Sequence, residues 1–268
     1  MAQLKGSIQF TGSLGNIRSY YSRQLKRYIL ATKGGASKEL IMNNPNFART
    51  RENMNEFKAC GYWASQLRRS LSAISRLHQG YYFSEIVAMA KVIQKHDEEG
   101  VRGFRPVESS KSAHQLSQIN FNRLHPFEKV LSKGFSIQFS DDKRTVILNM
   151  PGFKPFSHLS WPMRYQSFRI ALVIAQLPDW VWNDLDKEYQ PKYKEMEGLS
   201  VSAFTDWLPG GTEVHDILIS ASFAQPALQQ PGTTVIVAMG IEVMSAAMNA
   251  GSPNPSGIGT MKIVECFV

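Results

Sequence analysis

The sequence has no acidic residue before Glu39, only two cysteines (Cys60 and Cys266), and no histidine three or four residues from another. Each absence removes a class of chemistry. Two cysteines without a CxxC spacing exclude a disulfide scaffold and a thiolate zinc site, so both read as small core residues, with the compartment tilting towards reducing. Histidines at 78, 96, 114, 125, 158 and 215 are too widely spaced to converge as a helical or hairpin zinc pair. No G-x-S-x-G elbow occurs, and no Walker spacing ends in Gly-Lys-Ser/Thr. Long apolar runs are missing too. No stretch approaches the roughly 18 residues of a spanning helix, and the first twenty lack the apolar core of a secretory signal. The expectation is a chain with no signal peptide or membrane span, cytoplasmic or held within an assembled particle, and without catalytic residue, cofactor or metal.

What is present is a packable chain with its charge sorted along its length. Of 268 residues, 43% are hydrophobic and 19% charged, and the mean hydropathy is −0.24, values that exclude wholesale disorder. A chain of this size buries about 70% of its unfolded surface and builds a core without staples. Residues 1–133 hold 21 Lys or Arg against 9 Asp or Glu, and residues 134–268 hold 9 against 13, so +12 faces −4. Such asymmetry calls for a compensating partner.

Periodicity assigns the elements. "TGSLGN" is a turn between β-rich runs, with Ile8 and Phe10 before it and "IRSYY" and "RYILAT" after it, and its Gly12 and Gly15 suit positive φ. Asn44 and Pro45 form an N-cap and first helical position. From there Phe47, Met54, Phe57, Cys60, Ala64, Leu67, Leu71 and Ile74 repeat at helical spacing, predicting one long amphipathic helix ending near Gly80. Glu52 and Glu56 in its early turns and Arg68, Arg69 and Arg76 in its late ones match the helix dipole. A second helix fits "YFSEIVAMAKVIQKHDEEG" and a third "KSAHQLSQINFNRLH". Past Gly134 the period becomes two, and seven β-rich runs separated by turn residues predict an antiparallel sandwich of immunoglobulin-like layout. "NAGSPNPSGIGT" is a loop before the last strand. The expected fold is α+β, with a basic β-ribbon and helical module at 1–133 and a mildly acidic β-sandwich at 134–268.

Asp184, Asp186 and Glu188 alternate as calcium ligands do, but Tyr189 stands at the sixth position, where an EF-hand loop needs glycine, so a charged hairpin is the simpler reading. The strongest functional feature is the basic, aromatic ribbon. Arg18, Tyr20, Tyr21, Arg23, Lys26, Arg27 and Tyr28, joined by Arg68, Arg69 and Arg76, form the candidate interface, since tyrosine with arginine is the composition of protein contacts.

The segments "KGSIQFTGSLGNIRSYYS" and "NNPNFARTRENMNEF" resemble the opening of uncharacterised Bacteroidota proteins. These begin with a glycine-hinged hairpin, continue through an Asn-Pro-led, arginine-rich helix and often finish in a β-rich domain. The resemblance covers about the first 60 residues and implies architecture alone.

These features predict a non-enzymatic structural or assembly subunit, its partner another copy of itself or another protein, basic end meeting acidic end. Nucleic-acid binding through the ribbon is the alternative. A carbohydrate or small-ligand site among Trp161, Trp180, Trp182 and Trp207 is a further one.

Overall fold

The structure is a computed structural model that describes residues 2–3, 10–79, 82–142, 144–196, 199–225, 230–244 and 258–268. The chain divides into two compact units, Met1–Arg51 and Glu52–Val268.

The first unit is a small antiparallel sheet followed by a short helix. Strands β1 (Ala2–Gln3), β2 (Gly12–Leu14), β3 (Ile17–Ser22) and β4 (Arg27–Thr32) lie in the order β1-β4-β3-β2. Gly12 and Gly15 take positive φ, 126° and 55°, as the glycine-hinged turn requires. The strand expected around Ile8 lies outside the described residues. Helix α1 (Lys38–Asn43) starts at Ser37, whose hydroxyl accepts the Leu40 N–H at 3.1 Å. Arg51 closes its far end by donating to the carbonyls of Ile41 and Asn44 at 2.7 and 2.9 Å. The Asn44 side chain then caps the 3-10 turn Pro45–Phe47, leading into α2 (Ala48–Ser70).

The expected helix over 44–80 is therefore three pieces: that turn, α2, and a 3-10 segment Ser72–Leu77; Gly80 lies outside the described residues. The break at Leu71 lets Ile74 and Leu77 lie on the neighbouring sheet. There a Cβ on Gly240 would stand 2.7 Å from Leu77 Cδ1, so glycine permits the close approach. Helix α3 (Tyr82–Lys95) follows. The third predicted helix is instead a 3-10 segment, Ser109–Gln118, kinked at Ser112.

After α4 (Phe127–Val130), all seven predicted β-rich runs become strands. The strands are β5 (Ser136–Phe139), β6 (Thr145–Met150), then after α5 (Pro155–His158) β7 (Ser167–Pro178), a further hairpin of β8 (Trp180–Asn183) and β9 (Glu188–Pro191) outside those runs, then β10 (Ser200–Phe204) and β11 (Leu208–Pro209) from one run, β12 (Ile217–Ser222), β13 (Thr233–Met244) and β14 (Ile258–Phe267). One sheet has the order β10-β7-β13-β14 with β11 also on β7; a second has β12-β6-β5; every pairing is antiparallel. Most of the loop expected at 249–260 lies outside the described residues.

Strands β7 and β13 are buried along almost their whole length, because both faces of their sheet are covered. On one face Ala171, Val173, Ile236 and Ala238 meet Trp63, Leu67, Ile74 and Ile86 of the helical layer. On the other, Ile170, Leu172, Val237 and Met239 meet Val146, Leu148, Met150 and Ile219 of the three-stranded sheet. The division expected at 133/134 is thus corrected. The helices share a core with the sheet, so the units part at 51/52. The coarse α+β class is as expected. Among the described residues, no helix is long and apolar enough to cross a membrane.

Candidate functional site

Alternation along a strand sends successive side chains to opposite faces, and the register of the N-terminal sheet sorts its candidate residues accordingly. Tyr21 faces Tyr28 across the β3–β4 pair, Ile17 faces Thr32, and Ser19 faces Leu30; on β2, Leu14 faces Ile17. These residues share one face, and none is charged. The rings of Tyr21 and Tyr28 meet edge to face at 5.2 Å. The opposite face carries Arg18, Tyr20 and Arg27 beside Ile29 and Ala31, with the Arg18 guanidinium 5.7 Å from the Tyr20 ring centre. Arg23 and Lys26 occupy the β3–β4 turn, where Lys26 has φ 50°. Among the described residues, no carboxylate lies within ion-pair distance of Arg18, Arg23 or Lys26.

This sheet has almost no interior. Of its unit's residues with described side chains, only Ser19 and Ile29 are buried, while Leu14 is 71% exposed, Leu25 50%, Tyr21 47% and Ile17 40%. The buried Ser19 hydroxyl has no hydrogen-bond partner among the described residues. A sheet gains stability by covering an apolar face, and this neutral face is open.

The other three candidates belong to the second unit. Arg68 and Arg69 occupy the exposed last turn of α2, with Arg68 5.8 Å from the Phe83 ring centre. Arg76 is paired within its own chain. Its Nε and Nη2 donate to Glu242 at 2.9 and 2.7 Å. Glu242, buried on β13, also accepts from Arg169 at 2.7 Å, its direct neighbour across the β7–β13 ladder. Burial alone would raise the Glu242 carboxyl, but hydrogen bonds from Arg76 and Arg169 outweigh it and hold it below the ordinary value. Arg169 in turn stacks between Phe204 and Trp207, 5.0 and 4.7 Å from the ring centres.

Two further buried carboxylates escaped sequence reasoning. Glu56, fully buried on α2, accepts the Gly103 N–H and Arg105 Nε on one oxygen, at 2.9 and 2.7 Å. Its other oxygen takes Lys91 and Arg105 Nη2, at 2.6 and 2.8 Å. Asp179 accepts the backbone N–H and hydroxyl of Ser110 and the hydroxyl of Ser109; burial pushes its carboxyl up, against those bonds. The available signal for Glu242 and Arg169 was one charge of each sign inside two otherwise apolar strands.

Nothing in these clusters resembles an activated nucleophile. Burial pushes the Cys60 thiol up to about 11 and Cys266 up to about 12, opposite to the lowered value of reactive thiols. Among the described residues no group of three His, Cys, Asp or Glu is placed to hold a metal. Asp184 and Asp186 bond within the β8–β9 hairpin, to Trp182, Asn183 and Gln190. The tryptophans stand in separate settings: Trp161 against His125, Trp180 donating to Gln66, Trp182 against Phe104 and Tyr189, and Trp207 on Arg169. No protein-family model matches the chain, and no curated protein matches it.

Proposed function

We propose that this chain is a non-enzymatic assembly subunit whose N-terminal sheet docks on another copy. One observation carries the reading: a sheet whose neutral face, bearing Leu14, Ile17, Tyr21 and Tyr28, is left open in a unit with two buried side chains among its described residues. The basic residues Arg23 and Lys26, in the turn at its edge, suit exposed carboxylates of the second unit such as Asp206 and Glu213. A contact between unlike surfaces of identical chains is heterologous and closes into a ring or continues as a filament.

The immunoglobulin-like layout belongs to this proposal. Counting the seven runs as strands A, B, C, C′, E, F and G, the orders β12-β6-β5 and β10-β7-β13-β14 read as E-B-A and C′-C-F-G. That sorting supports the layout, in which A, B and E share one sheet and C′ joins C, F and G on the other.

Sheet geometry weighs against nucleic acid. A single-strand binder stacks bases on several rings that line its cationic groove, yet of the three ribbon tyrosines only Tyr20 shares the face of Arg18 and Arg27, while Tyr21 and Tyr28 lie on the other. Particle mass by light scattering at two ionic strengths tests the reading. The wild type is expected to exceed monomer mass, and Ile17→Asp with Tyr21→Asp to lower it. A wild type that stays monomeric at every concentration overturns the reading. Saturable binding of single-stranded DNA or RNA that falls steeply with salt transfers the ribbon to the alternative.

A further inference from the structure

Between α2 and α3 runs an open groove of roughly 730 Å³, floored by Phe57, Gly61, Phe83, Val87, Ala88 and Val92. The remaining described lining is Ser84, Lys91 and Lys95, with no carboxylate. The acids that follow α3, Asp97, Glu98 and Glu99, line a different cleft with Glu108 and Lys111. Phe57, 60% exposed, was expected to point into the core; it lines the groove instead, as does Val92 at 44%. Gly61 sits in the interior of a helix of 23 residues, where glycine is unfavourable. A Cβ built there would meet nothing within 4 Å. The chain's own packing therefore does not require glycine at 61, and the space beside it is open to a side chain entering the groove from outside.

The β8–β9 hairpin carries a shape and charge that match. Its tip residue Leu185 is 92% exposed and lies between Asp184 and Asp186. The tip is held rigid. Asn183 Oδ1 accepts the N–H groups of Leu185 and Asp186 at 2.8 and 3.3 Å, and Asp186 accepts the Asn183 and Gln190 amides at 3.0 and 2.6 Å. A rigid apolar tip loses little freedom on docking.

We propose that Leu185 inserts into the α2–α3 groove of a second copy, with Asp184 and Asp186 facing the lysine rim. Lys91 is partly committed to Glu56 at 2.6 Å, and Asp184 to Lys187 of its own hairpin at 3.4 Å, so Lys95 and Asp186 supply most of the attraction. This inference rests on the assembly reading and adds a second, heterologous contact to it. An apolar knob entering a pocket on an identical molecule propagates unless the rotation closes.

Sedimentation velocity on the full chain tests it. Leu185→Asp and Gly61→Leu should each weaken self-association by about tenfold or more while leaving the far-UV spectrum unchanged. Val92→Glu provides a second groove variant should Gly61→Leu misfold. Mixing Leu185→Asp with a groove variant should restore association in part, because one brings an intact groove and the other an intact tip. Lys95→Glu should weaken the wild type and strengthen Asp184→Lys/Asp186→Lys. Wild-type mass unaffected by Leu185→Asp, or no recovery on mixing, overturns this contact and leaves the assembly reading standing. A wild type monomeric throughout overturns both.

Discussion

Glu56 shows how far one side chain's role can depart from its place in the sequence. In an early turn of a predicted helix it reads as an exposed acid favoured by the helix dipole. In the fold it has no exposed surface, and its partners Lys91 and Arg105 are 35 and 49 residues away. Nothing in local spacing reveals such partners, because they converge only after α3 and the loop at 102–105 close over α2. Burial alone would raise the carboxyl, but bonds from Arg105, Lys91 and the Gly103 N–H bring it from 4.5 down to about 2. A lowered folded-state value means that the unfolded chain takes up the proton first. The stabilisation is complete above about pH 4.5 and is lost as pH falls towards 2. Glu56→Gln should cost about 3 kcal/mol at pH 7, since it leaves two cations facing a neutral amide in a buried site. It should also flatten the fall in stability between pH 4.5 and 2, as read by urea unfolding across that range.

Among the elements, strands were more legible than helices. A period of two survives in β6 and β12, which are covered on one face, while β7 and β13 read as unbroken apolar runs because both of their faces are covered, and all seven runs formed strands. Helical spacing runs on through Leu71 without a visible stop, yet the chain changes there to a 3-10 segment so that Ile74 and Leu77 reach the sheet. The same spacing assigned Phe57 to the core, although the groove beside it leaves it on the surface. Charges inside strands carry the missing information: Arg169 and Glu242 are cross-strand neighbours that bind the two central strands, with Arg76 reaching down from the helical layer. Glu242→Gln should destabilise by roughly 3 kcal/mol, and a double-mutant cycle with Arg169→Met should give a coupling of about 1–3 kcal/mol. A coupling near zero in denaturant unfolding would mean that Trp207 and Phe204, rather than Glu242, hold the Arg169 side chain.

For the whole molecule, charge predicted a division and packing moved it. The +12 and −4 halves meet near residue 133, but the helical layer belongs with the sheet it covers, leaving only Met1–Arg51 as a separate unit. The candidate ribbon was legible because strand pattern and missing acids both lie in local sequence. Its two unlike faces emerged only from the register, which sends Tyr21 and Tyr28 away from Arg18 and Arg27. Removing residues 1–36 keeps Ser37 as the cap of α1 and leaves the shared core intact. The shortened chain should unfold within roughly 2–4 °C of the full chain, the shift that 1 kcal/mol produces at this size, while its particle mass falls. A larger drop in melting temperature by calorimetry would show that the ribbon stabilises the rest of the chain.

The β8–β9 hairpin also holds Trp182, whose indole N–H donates to Asp184 at 3.1 Å and whose ring lies against Phe104 and Tyr189. An indole bonded to the carboxylate beside Leu185 is a natural fluorophore at the tip itself. Its emission colour follows the polarity around it, so association through this hairpin can be watched in unlabelled protein as a change in wavelength on dilution.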